Sequence, residues 1–471
     1  MKRDHCQTWS PPQPSRTAKK GALATELREE IGQEVERLVT LLTPAGDGVG
    51  GLDLEVAELA IRAGMHRIGG SFLEKLLALD RGHRGPRVEC GAGYEATFVN
   101  YREKYLTTVL APVRVQRAYY HCADCHGGVV PRDDELRIAG SSLSPGVRRI
   151  TARTGSQEPF AQASRDLADL AGITVPAKQV ERVSEASGDR IRKAAENEWA
   201  DLLAGTILPL PATPIPTLYV AVDGTGVPTV PAETEGRAGK GADGRAHTRE
   251  IKLGCVFTQT KLDEDGRPVR DPDSTSYLAT AESAETFGPM VYTEALRRGV
   301  QRARRVVILG DGARWIWNIA GEHFPNSIQV VDLYHAREHV GDLATLLFPT
   351  DPTERRQWRE ARVTELDRGD ITTLLHQFRQ VDCASGIADQ VRKQISYFET
   401  NKTRMRYGEF RRMGIFVGSG VVEAGCRSLV HQRLKQSGMR WSLRGAQSVI
   451  WLRCHQAGGR WDEFWAAPKI A

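Results

Sequence analysis

Two aspartates and a glutamate stand out by residue type and setting. Asp223 closes the apolar run Leu218-Tyr219-Val220-Ala221-Val222, and Asp311 follows Arg305-Val306-Val307-Ile308-Leu309-Gly310; a glycine comes after each. β-Branched apolar runs of this length read as buried strands. An acid at the carboxyl end of such a strand, beside glycine, is placed for chemistry more than for packing. The third acid, Glu423, follows Gly418-Ser419-Gly420-Val421-Val422, where Ser419 is expected to N-cap a helix carrying Glu423 in its first turn. Carboxylates are hard oxygen ligands, and three together can hold two Mg²⁺ or Mn²⁺ ions across a scissile phosphate. Each acid alone also fits a surface turn or a solvated helix face; the combination points to phosphoryl transfer. Asp332, at the end of Val330-Val331, is a fourth strand-end acid, ranked behind Asp311 as a ligand and assigned a supporting role.

The chain has 471 residues, which implies two to four domains, and its 40% hydrophobic and 26% charged content reads as soluble and globular. No apolar run reaches membrane-spanning length, so no membrane partner is expected. Met1 to Lys20 is polar and basic without an apolar core, which excludes a secretory signal and points to the cytoplasm. A net charge of +5 is mild, but its distribution is not even. Basic residues cluster at 297–305, at 402–412, and after Glu423 as Arg427, Arg433, Lys435, Arg440 and Arg444. Basic groups bracketing acidic metal ligands suit a polyanion. Eight cysteines without a signal argue against a disulfide framework.

The elements that must position these residues follow from periodicity. Residues 1–20 read as a flexible arm. Leu23, Leu27, Ile31, Val35, Leu38 and Leu42 recur at helical spacing, and Leu54 to Leu79 reads as one or two further helices interrupted at Gly69-Gly70, giving a helical module over 21–81. Residues 82–135 read as a small β module with strands at 95–101, 105–110 and 113–120, the last carrying Val113, Val115, Arg117 and Tyr119 on one face. Cys122 and Cys125 then form a Cys-x-x-Cys knuckle like half a zinc ribbon, with Cys90 the candidate third ligand for Zn²⁺ and His83 a possible substitute. Residues 136–204 are helical. Helices at 159–170 and from Pro176, with Thr174 as N-cap, resemble a DNA-binding helix-turn-helix with Lys178 and Gln179 at the base-contacting end. Residues 205–216 are a proline-rich linker.

From Leu218 the pattern is α/β. Strands at 218–223, 250–258 and 276–280 precede a helix at 284–298, a strand at 306–311, a helix at 314–320 and a strand at 327–333, with a mobile loop expected at 231–247. Three strands, then alternating helix and strand, is the order of an RNase H-like core, a mixed sheet flanked by helices with acids on its first and fourth strands. The core divides into 217–340 and 416–456 around an α-helical insertion at 341–415, and a tail runs over 457–471. His335-Ala336-Arg337-Glu338-His339 matches H-x-x-E-H, the inverted zinc-peptidase pattern, but no third zinc ligand accompanies it. His335 and His339 are instead expected to orient a carboxylate or touch phosphate.

The segments 222–226, 310–317, 332–335 and 418–423 through Lys435-Gln436-Ser437-Gly438-Met439-Arg440-Trp441 resemble the ISKra-type bacterial insertion-sequence transposases. The resemblance runs in order over most of the chain, including Cys122-x-x-Cys125. It implies a DDE transposase with Asp223, Asp311 and Glu423 as its triad on two Mg²⁺ ions. It implies cleavage of element ends and strand transfer into target DNA, assembly as a homodimer or higher on DNA, and a nucleoid location. Arg314, Arg427, Arg433, Lys435 and Arg440 are the expected phosphate contacts, and Trp441 is either a stacking platform for an unpaired base or a core residue. The chain departs from the pattern at Arg87 and Tyr94, where such proteins carry a further Cys or His. An RNase H-like nuclease, an inactive DNA-binding derivative and a zinc peptidase are the alternatives.

Overall fold

The computed structural model describes residues 16–43, 53–204, 213–239 and 243–466. Parts of the expected arm (1–15), linker (205–212), loop (240–242) and tail (467–471) lie outside the described residues. The chain divides into two compact units, 1–151 with 164–176, and 152–163 with 177–471.

In the first unit, α1 (Arg16–Leu42) and α2 (Leu54–Ala78) form a hairpin. Ion pairs from Glu34 to Arg67 (2.5 Å) and from Lys75 to Glu26 (2.7 Å) and Glu30 (3.0 Å) join them. The break expected at Gly69-Gly70 is absent. The two glycines form a notch for the β module: a Cβ on Gly70 would lie 2.6 Å from that of Ala111. Strands β1 (Arg87–Glu89), β2 (Glu95–Thr107), β3 (Pro112–Cys122) and β4 (Gly128–Val129) form an antiparallel sheet in that order. The two strands expected at 95–110 are one, because the β2–β3 ladder continues through Leu106 with only an irregularity between Phe98 and Asn100. Buried positions on β3 run Val113, Val115, Arg117 and then Ala118, Tyr120, Cys122, so the inward face changes phase and Tyr119 does not share it. Helix α3 (Pro131–Glu135) supplies Asp133 to the buried Arg117 at 2.7 Å.

Helices α4 (Pro145–Gln157), α5 (Phe160–Ala171) and α6 (Ala177–Leu203) follow. The turn after α5 is closed by the Ser164 hydroxyl, which donates to the Val175 carbonyl (2.6 Å). Because α6 starts only after Pro176, Thr174 stands outside it and is not its cap.

The second unit is built on one mixed sheet. Its strands are β5 (Ile215–Pro228), β6 (Thr248–Gln259), β9 (Ser276–Thr280), β10 (Ala303–Gly310) and β11 (Ile328–Val331); β7 (Lys261–Leu262) and β8 (Pro268–Val269) are a separate small hairpin. The spatial order is β11-β10-β5-β6-β9, with β10 parallel to both β5 and β11, and β6 antiparallel to both β5 and β9. Helices α7 (Ala284–Arg297), α8 (Arg314–His323) and α9 (Leu333–Leu347) connect the later strands. The expected insertion is helical: α10 (Pro352–Arg368), α11 (Ile371–Arg379), α12 (Ala388–Asn401) and α13 (Tyr407–Arg412). The glutamate segment is α14 (Gly420–Gly425), a π-helical stretch Cys426–His431 and α15 (Gln432–Leu434). Helix α16 (Leu443–Ala457) is almost wholly buried, and α17 (Trp461–Trp465) follows it. No described helix is long and apolar enough to cross a membrane.

Candidate active site

The register of the parallel strands sets the site. β10 pairs with β5 through Ile308 with Val220 and Leu309 with Ala221, so two residues further Asp311 stands beside Asp223. Paired neighbouring strands lie about 4.8 Å apart, and the pairing of these two ends at Leu309 and Ala221, two residues before the acids. On the other side Gly310 pairs with Val331, so Asp332 follows beside Asp311. Three acids therefore occupy one row across three strands.

Asp223 lies inside β5, not at its end as expected: the strand continues to Pro228. Beyond Ala221 it has left β10 and pairs only with β6, as a two-stranded ribbon. Asp223 thus marks the point where the parallel pairing ends. Its Oδ1 accepts the Gly224 N–H (2.7 Å), and the Cys426 thiol donates to its Oδ2 (3.2 Å). Burial, with Asp311 nearby, holds its carboxyl above the usual range, while Cys426, Gly224 and His335 act in the opposite direction. Burial and the Asp223 charge likewise push the Cys426 thiol up.

Asp311 is held by its turn. Its Oδ1 accepts the Ala313 N–H (2.9 Å) at the start of α8, and its carbonyl accepts the Tyr397 hydroxyl (2.8 Å) from the helical insertion. Gly312 has φ +104, and a Cβ there would lie 2.6 Å from the Tyr397 ring, so the position requires glycine twice over. Tyr397 in turn stacks on His339 at 3.8 Å between centroids.

Asp332 is 1% exposed, and both its oxygens accept backbone N–H groups: Oδ1 from His335 (2.7 Å), capping α9, and Oδ2 from Ser419. With the Leu333 N–H bonded to the Val417 carbonyl (2.9 Å), it fixes the loop that leads into α14. Ser419 sits at the N-cap position, but its hydroxyl bonds Glu423 Oε1 (2.7 Å) and no backbone N–H, so it positions the glutamate instead of capping. Cys426 lies three residues after Glu423, hence on the same helical face, and it touches Asp223. Glu423 itself is exposed. The oxygens of Asp223, Asp311 and Glu423 do not all lie within 4.8 Å of one another: among the described residues only Cys90, Cys122 and Cys125 meet that distance as a group of three.

A hydrogen-bonded trio of Lys435, His431 and Thr225 adjoins Asp223. Lys435 Nζ donates to Thr225 Oγ1 (2.7 Å) and lies 2.9 Å from His431 Nε2, which is itself 2.9 Å from Thr225 Oγ1. Burial lowers the Lys435 and His431 pKa values, and for His431 the Lys435 charge adds to this. From Lys435 an open cleft of about 1360 Å³ runs between segment 435–440 and segments 228–238 and 243–247, past Arg237, Arg245, His247 and Arg440. The described part of that loop carries a short 3-10 turn (Pro231–Glu233) and the bond from the Ala246 N–H to the Arg237 carbonyl (3.0 Å). Cys426, Thr225, His431 and Tyr397 are new to the site. The spacing 423, 426, 431, 435 would have found the helical ones, whereas Tyr397 lies 86 residues from Asp311 and carried no sequence signal.

Burial counts against Arg433 as a phosphate contact and favours the core reading of Trp441. Arg433 is 1% exposed; its guanidinium donates to the Gly155 carbonyl (3.1 Å) and lies 4.8 Å from the Phe160 and Trp441 rings. Trp441 is 8% exposed, with its indole N–H on the Leu434 carbonyl (3.2 Å), and its backbone is stitched to Pro228 and Val230. Trp441 holds the 435–442 loop to the ribbon, and Arg433 packs against the Trp441 ring. Arg314, Arg427, Arg440 and Lys178 are exposed, Gln179 and Lys435 partly so; Lys178 pairs with Glu181 (2.8 Å).

The H-x-x-E-H residues do not form a metal-binding group of three. His339 Nδ1 lies 2.6 Å from Gln394 Oε1, and His335 Nδ1 3.3 Å from Glu338. In the first unit Cys90 and Cys125 sulfurs are 3.7 Å apart, close to the ~3.8 Å edge of a tetrahedron of thiolates ~2.3 Å from zinc. The Cys90 thiol is held below its ordinary value, first by the Ala92 backbone N–H. His83 is not in the cluster; its ring packs on Phe98 at 4.9 Å.

Residues 296–464 match a family described as an uncharacterised protein family, UPF0236; the match contains Asp311, Asp332 and Glu423 but not Asp223. No curated protein matches the sequence. Among solved structures the chain is similar to the Drosophila P element transposase strand transfer complex, at 14% identity and a TM-score of 0.19, over 52% of this chain and 65% of that one. The chain thus spans just under two thirds of the length of that structural relative.

Proposed function

We propose that the chain is a DNA transposase of the ISKra type, in which Asp223, Asp311 and Glu423 form a DDE triad on an RNase H-like core. The observation that carries this reading is the placement of the acids. The mixed-sheet order β11-β10-β5-β6-β9 is what an RNase H-like core would need, and the parallel register of β10 with β5 supports Asp311 as the neighbour of Asp223. The Asp332–Ser419–Glu423 and Cys426–Asp223 bonds tie the glutamate helix to the same row.

The donor set suits divalent ions: hard oxygens, two of them on adjacent strands, one carboxyl raised by burial and its neighbour's charge. Two Mg²⁺ or Mn²⁺ ions there would supply an activated water or 3′-hydroxyl and stabilise the leaving oxygen. The chain's own groups do the rest. Lys435, propped on Thr225 and His431, offers a cation beside Asp223 to a backbone phosphate. Arg427, Arg440 and Arg314 contact flanking phosphates, and Lys178 and Gln179 of α6 read bases. Cys90, Cys122 and Cys125 would hold a structural zinc in the ribbon.

The test is a duplex carrying the sequence that borders the gene, incubated with the full chain and Mg²⁺. End cleavage and joining, lost in Glu423→Gln, support the proposal. Cleavage without joining leaves a nuclease; neither activity, with DNA still bound, leaves a DNA-binding derivative.

A further inference from the structure

The α1–α2 hairpin exposes an apolar face. On α2 this is Leu54, Ile61, Met65, Phe72 and Leu76, with Leu79 just past its end; on α1, Ile31, Val35 and Val39. Each is between 41% and 64% exposed. The α2 residues follow intervals of three, four and seven, the spacing of a helix-packing seam.

The two stripes lie on one side. Contact between the helices runs through Glu34 and Leu38 of α1 against Gly64 and Arg67 of α2, with Lys75 beyond. A second side of α2 holds the β module through Gly69, Gly70, Leu73 and Leu77. At about 100° per residue, each exposed stripe stands roughly 80° around from the line of contact, in the same rotational sense on both helices. In antiparallel helices the same sense places both on one face.

We propose that this face is a homodimer interface, on which the hairpins of two copies close into a four-helix bundle. The exposed area of these side chains is roughly 800 Å² per copy, the amount each partner contributes to a stable interface. It exceeds the roughly 300–600 Å² of the largest patch on a typical monomer. The bordering charges Glu26, Glu30, Glu34, Arg67 and Lys75 are already paired within the hairpin, so an apolar partner fits and a charged one does not. A two-fold axis joins identical stripes without leaving an open end. The interface forms without DNA, so its fate is separate from that of the cleavage reading.

The test is the mass of the full chain in solution by light scattering at about 10 μM, without DNA. The wild type is expected near twice the 52.0 kDa chain mass. Ile61→Glu/Met65→Glu and Ile61→Lys/Met65→Lys are each expected to be monomeric, with helical circular dichroism retained because both positions are exposed. An equal mixture of the two is expected to associate at least tenfold more tightly than either alone. A monomeric wild type, as when the chain's own N-terminal residues cover the face, overturns the proposal. So does a Glu variant that stays dimeric, or a mixture that stays monomeric.

Discussion

Asp311→Asn separates charge from shape at the proposed centre. Asparagine is isosteric, so its Oδ1 keeps the Ala313 N–H bond, and the Tyr397 bond goes to the unchanged backbone carbonyl. What is lost is one charge beside Asp223. Two unit charges about 5 Å apart repel by roughly 3 kcal/mol at an effective dielectric of ~20, and solvent at the partly exposed site reduces this. The metal-free variant should therefore be as stable as the wild type or more so. With metal the sign reverses. If Mg²⁺ binds with a Kd of about 0.1 mM, about 10 mM stabilises the wild type by ~2.7 kcal/mol. A variant bound ~100-fold more weakly gains only ~0.4 kcal/mol. Thermal or denaturant unfolding with and without Mg²⁺ reads both differences, and cleavage of the bordering duplex should fall by about 10³-fold or more. Equal stabilisation of variant and wild type by Mg²⁺, or retained cleavage, refutes the assignment.

Other outcomes follow from the same geometry. Asp332→Ala leaves the buried His335 and Ser419 N–H groups without their acceptor and should cost ~2–4 kcal/mol by denaturant unfolding, with cleavage lost as Glu423 loses its mooring. Trp441→Ala should cost ~3–5 kcal/mol through lost packing, while a base-stacking role would instead show as weaker DNA binding in a protein of normal stability. Because burial raises the Asp223 pKa, the metal-free fold is favoured while this carboxyl is protonated. That contribution fades as pH rises through the raised value, and Asp223→Asn should remove this part of the pH dependence of unfolding. Purified protein should carry about one zinc by elemental analysis, lowered by Cys90→Ser and untouched by Asp311→Asn.

Much of the core was legible in sequence because strand-length apolar runs have one reading when turns bound them. The strand at 276–280, the strand expected at 306–311 and found at 303–310, the helix after Gly312 and the helical insertion all followed from periodicity. Local signals failed where a distant partner decides. Gly69-Gly70 reads as a break until Ala111 is seen to need the space. Arg433 read as a surface contact and Trp441 as surface or core alike, because a basic and aromatic run looks the same in a groove or a core; Phe160 and Gly155 bury them. Asp223 looked like a strand end because Gly224 and Gly226 resemble a turn, yet β6 pairs with them throughout. The Ser419 hydroxyl turns from the expected cap to Glu423, while its backbone N–H is taken by Asp332, 87 residues away.

The proposed chemistry needs Asp223 and Asp311 to share divalent ions. Crystals soaked in Mn²⁺ and measured for anomalous scattering test this. Strong peaks are expected between these two carboxylates, with Glu423 drawn toward one of them, and their loss in Asp311→Asn. No anomalous signal at Asp223 and Asp311, with the acids left apart, would contradict it.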